Sequence, residues 1–368
     1  MGTITAAVAT APGVDFSLEQ LQLDEPREDE VLVRISGVGI CHSDIAAREQ
    51  QLPVSLPAVL GHEGAGVIEK VGNGVTNLSP GDHVVLSFLS CGECDTCNGG
   101  QPSYCLQGFL PQNFACMRPD GSKTIQRDGE GISSNFFGQS SFGTYAIANA
   151  SNAIKVRNDA PIELLGPLGC GIQTGAGSIM KALACEAGSS LLITGGGAVG
   201  LAAVMAGAVQ ACANIIVSEP HAARRELALS LGATHVIDPT TGTRLHEAVR
   251  AILPAGVDYG FDTSARQDVI EGIVKSMRPA GTIGLVGIPA DNPNISFDVI
   301  TLLALGLNIV GITEGNADPA TFIPEMVDLY MEGRFPLDKL CKTYDLEQIN
   351  EAVAEHAQGL CVKPVLVP

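Results

Sequence analysis

Three groups of residues in this chain of 368 have types and spacings suited to chemistry. Cys91, Cys94, Cys97 and Cys105 are spaced CxxCxxCx7C in SCGECDTCNGGQPSYC. Four thiolates match a closed tetrahedral zinc site, which would staple a loop (about 91–105) that has almost no apolar residues to bury. An iron–sulfur cluster would prefer a nearer fourth Cys followed by Pro, and a redox CxxC needs only two thiols. The second group is Cys41 in GICHSD, His62 and Glu63 in GHEGAG, and Cys170 in GPLGCGIQTG, all in Gly-rich loops. Two thiolates and an imidazole would leave a zinc ion one open position for water or a substrate oxygen. Singly, a Cys is more often a small buried hydrophobe and a His a hydrogen-bonded core residue, and the spacing leaves open whether these three meet. The third group is GGGAVG, where Gly195, Gly197 and Gly200 form GxGxxG after the apolar run SSLLIT and before an Ala-rich helical run. There Gly195 permits the tight turn, Gly197 lets a pyrophosphate approach the backbone, and Gly200 lets helix and strand pack closely. The helix N-terminus supplies unpaired N–H groups to the diphosphate. Glu219, ending the next apolar run, lies where a carboxylate accepts both ribose hydroxyls and repels a 2′-phosphate, which favours NAD over NADP.

Two kinds of element must position these groups. Residues 1 to about 150 are β-rich and loop-dominated, with short runs at Glu30 to Ile35, Gly66 to Val71 and His83 to Phe88. From about 172, SSLLIT, NIIVSE, THVID, VDYGFD, GTIGLVG and LNIVGI alternate with helical runs such as Ala198 to Cys212, Ala222 to Leu231 and Gln267 to Met277. Six such strands indicate an α/β, doubly wound parallel sheet. The last 50 residues return to a mixed pattern, as if the chain rejoins its first domain.

Composition narrows the function class. Forty acidic against 21 basic residues give a formal charge of -19 with no basic block, which excludes the phosphate-backbone binding that nucleic acid or an anionic membrane demands. Eleven cysteines without a visible leader segment fit metal ligands and free thiols, hence a cytoplasmic setting, rather than a disulfide scaffold. Ser189 to Ser218 carries no charge and is long enough to cross a bilayer, but Gly195 to Gly197 interrupt it after a short β-like run.

GHEGAG, the four-cysteine lobe, GCGIQTG and GGGAVG occur in the order seen in zinc-dependent medium-chain alcohol dehydrogenases, which the chain resembles over nearly its whole length. NFACMRPDGS, FFGQSSFGTYA and ELLGPLGCGIQTGAG are most similar to bacterial benzyl and aryl-alcohol dehydrogenases. The resemblance implies a GroES-like β-rich catalytic domain (1–171 and 315–368) and a Rossmann NAD-binding domain (172–314). It implies two zinc ions per subunit, with Cys41, His62 and Cys170 holding the catalytic one and Glu63 beside it. Ser43 would take the alcohol proton and Asp44 would orient His62. His42 and Lys363 would contact the cofactor diphosphate, Arg224 the adenosine ribose, and Thr174 and Val199 the nicotinamide; Val286 is counted with these cofactor contacts. The chain departs from many family members at Ala46, where a His would complete the proton relay to water.

The implied reaction is reversible oxidation of a primary alcohol to an aldehyde, with hydride passing to C4 of the nicotinamide. Half of the sixteen Phe and Tyr residues fall between Phe88 and Tyr145: Phe88, Tyr104, Phe109, Phe114, Phe136, Phe137, Phe142 and Tyr145. Some must form the core of the β-rich domain, and Phe88, Phe109, Phe114 and Phe142 are the candidates to line a pocket for a flat, conjugated alcohol. Aryl alcohols are the first choice and allylic terpene alcohols such as geraniol or perillyl alcohol the second. A polyol dehydrogenase would want a polar pocket, and a non-catalytic scaffold would lack a ligand or the proton acceptor. The uncharged run TLLALGLNIVGIT is expected to form the last strand, whose apolar edge would need a second subunit, giving a homodimer or homotetramer.

Overall fold

The computed structural model describes residues 2–288 and 294–368. The chain divides into two units, Met1–Gly171 with Asp318–Glu332 and Leu337–Pro368, and Ile172–Ala317 with Gly333–Pro336. Residues 315–317 and 333–336, expected in the β-rich domain, thus fall in the second unit. The reason at 315 is packing: the backbone of Gly315 lies so close to Gln173 and Gly177 that neither glycine has room for a side chain.

Among the described residues, the first unit holds a five-stranded and a seven-stranded sheet. Alternation in Glu30–Gly39 buries Val31, Val33, Ile35 and Val38 in a core shared with Leu21, Ile68, Leu86 and Ile147. This strand runs antiparallel to Glu63–Val71 with Gly39 opposite Glu63, and to Lys363–Val367 with Gly39 opposite Val365. The register therefore gathers the start of one strand, the end of a second and the start of a third at one edge. Directly after Gly39 and Ile40 the chain enters the helix His42–Arg48.

The second unit is a six-stranded parallel sheet in the order His235–Ile237, Asn214–Ser218, Ser190–Thr194, Val257–Asp262, Met277–Leu285, Asn308–Gly311. The helices Ala198–Val209, Ala222–Ser230 and Gln267–Ser276 stand where the sequence places them, and the central strand SLLIT is buried at every residue, as a strand covered on both faces must be. Ser189 to Ser218 is thus strand, turn, helix and strand; among the described residues no helix is long and apolar enough to cross a membrane. TLLALGLNIVGIT does not form one strand. Its first part belongs to the helix Val299–Leu305, capped by Asp298 at its start and by left-handed Gly306 at its end, and only Asn308–Gly311 pairs as a strand.

Candidate active site and dinucleotide-binding turn

Cys41, His62, Glu63 and Cys170 converge: one ligating atom from each lies within 4.8 Å of all the others. Cys41 precedes the helix His42–Arg48, His62 immediately precedes the strand that Glu63 opens, and Cys170 follows the turn Gly166–Gly169. Asp44, fully buried, organises the cluster by accepting from the Cys41 amide (2.9 Å), the Gly61 amide (3.0 Å) and His62 Nδ1 (2.9 Å). His62 Nε2 is left buried and without a hydrogen-bond partner. A buried imidazole nitrogen is costly to leave unpaired, and this one shares its cluster with two thiols, so the donor set fits a zinc ion.

These buried groups shift one another's protonation. The Cys41 thiol is drawn well below its ordinary range by its hydrogen bond with Cys170, against burial and with help from Lys363 and His62. Burial works to discharge His62, yet Asp44 and Cys41 hold its pKa well above the usual value. Burial pushes Glu63 up to about 7 in spite of Lys363. Lys363 itself is raised, because the carboxylate and thiols around it outweigh its own burial.

Lys363 has its partners within the cluster. Its ammonium donates to Glu63 Oε1 and Oε2 (both 2.9 Å) and to the Ile40 carbonyl (3.1 Å), and the side chain is 3% exposed. All three donors are engaged, so in this structure Lys363 balances Glu63. His42 is exposed and Ser43 half-buried at the start of the same helix, and Ala46 is buried.

Aromatic rings enclose His62. Phe137 stacks on the imidazole with centroids 4.4 Å apart and planes at 24°, and Phe136 meets it at 5.3 Å and 90°. Phe114 packs on both, and Phe109 on Phe137, Phe114 and Phe88. Of the expected pocket residues, Phe109 is half-buried while Phe88 and Phe114 are buried behind it. Phe142 lines nothing: it is fully buried under Gly61 and edge-on to Phe16 in the core. Phe136 and Phe137 were visible in the sequence only as members of an aromatic-rich segment.

The four cysteines of the lobe also meet. Cys94 Sγ lies 3.4 Å from Cys97 and 4.0 Å from Cys105, and Cys91 Sγ 3.9 Å from Cys97. Backbone amides of Cys91, Cys94 and Leu106 point at these sulfurs, an arrangement that favours thiolates. Thr96 and the Leu106 amide draw Cys94 down to about 5, whereas burial and its neighbour Cys94 push Cys97 up to about 12. All eleven cysteines are free thiols, so no disulfide competes for them.

In the second unit Gly195 has φ +99, a conformation in which a side chain would be strained. Gly200 packs against the Gly195 carbonyl, with no room for a Cβ, while a Cβ on Gly197 would meet nothing within 4 Å. The turn is therefore closed behind and open in front, at the N-terminus of the helix Ala198–Val209, a cradle suited to a pyrophosphate. Glu219 braces it, accepting from the Gly196 amide (2.6 Å) and the His221 amide (2.8 Å). Arg225 clasps the Glu219 carbonyl and pairs with Asp238, whereas the Nε of Arg224 is buried without a partner. Val199 and Val286 are half-buried, and Thr174 donates to Glu314 (3.3 Å). Glu314, which also accepts from Gln173 (3.1 Å), gave no signal in the sequence, because it is far from both along the chain.

Comparison with known proteins agrees with this construction. Residues 27–158 match the alcohol dehydrogenase GroES-like domain, and residues 198–332 the zinc-binding dehydrogenase domain. The chain belongs to the zinc-dependent medium-chain alcohol dehydrogenases, whose cofactors are zinc and a nicotinamide dinucleotide. It is 47% identical to geraniol dehydrogenase of Castellaniella defragrans over 98% of this chain and 97% of that one. The crystal structure of benzyl alcohol dehydrogenase from Acinetobacter calcoaceticus is similar at a TM-score of 0.96 and 43% identity, covering 100% and 99% of the two chains. An alcohol dehydrogenase zinc-binding domain protein from Burkholderia ambifaria gives 0.97 and 47%, with the same coverage.

Proposed function

We propose that the protein catalyses reversible, NAD-dependent oxidation of conjugated primary alcohols to aldehydes, with aromatic alcohols of the benzyl type as the favoured substrates. The observation that carries this is the convergence of Cys41, His62, Glu63 and Cys170 beside an aromatic cluster. Zinc held by Cys41, His62 and Cys170 would supply a Lewis acid that lowers the pKa of the alcohol, and NAD the hydride acceptor. Asp44 fixes the His62 tautomer so that Nε2 faces the thiols. Ser43 accepts the alcohol proton, and Lys363 keeps the Glu63 charge compensated. With Ala46 in the relay position, the proton leaves through exposed His42 or through water. The balance is alcohol plus NAD giving aldehyde, NADH and one proton.

Gly195, Gly197 and Gly200 cradle the diphosphate, with His42 as its cation. Glu219 binds the ribose hydroxyls with lone pairs left over from its two amide bonds; Arg224 lies near the adenosine ribose, and Thr174, Val199 and Val286 near the nicotinamide. Cys91, Cys94, Cys97 and Cys105 hold a second, structural zinc. The apolar rings stacked around His62 suit a flat substrate and not a polyol. A second reading, an allylic terpene alcohol, is supported by the geraniol dehydrogenase relative; its double bond stabilises the developing positive charge as an aryl ring does. The working state is a cytosolic homodimer, or a tetramer of such dimers, paired through the exposed edge strand Asn308–Gly311. Turnover of benzyl alcohol, geraniol, sorbitol and ethanol, each with NAD and with NADP, tests the reading: activity on the first two with NAD is expected, and activity confined to sorbitol or to NADP would overturn it.

A further inference from the structure

We infer that Phe137 is a positioning residue for the metal site, acting by clamping the His62 imidazole in the plane it needs to reach the metal. This rests on His62 being a zinc ligand, as proposed above. Two observations carry it. The Phe137 ring lies face to face with the imidazole at 4.4 Å and 24°, close enough to block rotation of His62 about its ring axis. Its backbone is at φ +52, ψ +35, a left-handed conformation that a bulky side chain adopts only when its surroundings impose it, and such strain concentrates at functional sites.

The surroundings do impose it. Asn152 donates to the carbonyls of Ser87, Phe137 and Gly138 (2.9, 3.2 and 3.5 Å), and Gln139 donates to the carbonyl of His62 itself (2.9 Å). Left-handed Asn135 and Gly138 flank the residue, and Phe109, Phe114 and Phe136 wall its ring. The loop that carries Phe137 is thus tied, through the Gln139 side chain, to the backbone of His62, the residue before the strand Glu63–Val71. Asp44 holds the imidazole at Nδ1, in the plane of the ring, and leaves tilt out of that plane to packing. A flat partner on its face limits that tilt. It also favours the metal-bound state, in which positive charge spreads into an imidazole lying against a π face.

The test compares Phe137→Leu with Phe114→Leu. Both remove a ring from the same buried cluster, but Phe114 touches Phe136 and Phe137 and has no ring contact with His62. Zinc release to a chelator is followed in the purified, zinc-loaded enzyme, where the four-cysteine lobe provides an internal reference. The visible bands of cobalt introduced at the His62 site report ligand geometry independently of turnover. The expected result is that Phe137→Leu releases the His62-site metal roughly tenfold faster and shifts the cobalt bands, while the lobe metal is unaffected and Phe114→Leu behaves as wild type at both sites. Equal loosening in both variants, or loosening of both metals together, would show a merely structural role and overturn the inference. Should wild-type protein hold a metal in the lobe alone, the reading of the site falls, and the inference with it. If Phe137→Leu does not fold, Phe137→Met is read against Phe114→Met in the same way.

Discussion

Asp44 is the residue on which the metal cluster depends. It takes hydrogen bonds from the Cys41 amide, the Gly61 amide and His62, so one carboxylate fixes two candidate ligands. Asp44→Ala is expected to weaken catalytic zinc binding by about 10–100-fold, measured by chelator competition, with the lobe metal retained. Lys363 and Glu63 pose a different problem, that of opposite charges taken wholly out of water. Lys363→Met strands the Glu63 carboxylate and should cost about 3–5 kcal/mol, seen as a lower thermal midpoint at fixed zinc. The double variant with Glu63→Gln should recover most of the loss. An unchanged midpoint would show that the pair adds nothing to stability, and the Kd for NAD, measured on the same variant, reads any diphosphate contact separately. Residue identity was legible for nearly all of this cluster, and the resemblance paired Asp44 with His62, but not Lys363 with Glu63: Lys363 is recognisable as a cation, but its acid lies 300 positions away, and only the strand register joins them.

At the scale of elements, the parallel sheet was the most legible part, because strands buried on both faces spell apolar runs and the intervening helices carry their own period. The glycine turn was equally legible, and it yields a paired prediction. Gly197→Ser places a Cβ in open space at a position where Ser caps a helix well, so the thermal midpoint should be unchanged while NAD binding weakens at least about tenfold. Gly200→Ser drives a Cβ into the Gly195 carbonyl and should lower the midpoint itself. Elsewhere composition misled. TLLALGLNIVGIT is apolar enough for a strand, but Asp298 and Gly306 cut a helix out of it. Phe142 shares a segment with the rings around His62, yet the backbone there sends it under Gly61 and against Phe16 in the core. Aromatic content says that rings are near one another, and only backbone direction says which of them face a cavity.

For the whole molecule, the excess of acid means that an anionic cofactor must be held by local features, the helix N-terminus at the glycine turn above all. Assembly is the second consequence of large-scale surface. On the helix that precedes the edge strand in the chain, Val299, Ile300 and Leu303 stand 62–74% exposed, a group of apolar side chains that a monomer rarely leaves open. Sedimentation at micromolar concentration should give a dimer or larger species, and a monomer would refute pairing through this face.

The central claim, hydride transfer from a conjugated alcohol to NAD at the Cys41, His62 and Cys170 site, is tested most directly by following NADH formation from benzyl alcohol in zinc-loaded wild type and in Cys170→Ser. NAD binding and lobe zinc are measured in both proteins. The account predicts NADH and benzaldehyde in equal amounts from wild type, and a fall of at least roughly a hundredfold in kcat/KM for the variant, with NAD affinity and lobe zinc preserved. Undiminished turnover by Cys170→Ser, or no turnover of benzyl alcohol or geraniol by the zinc-loaded wild type, would contradict it.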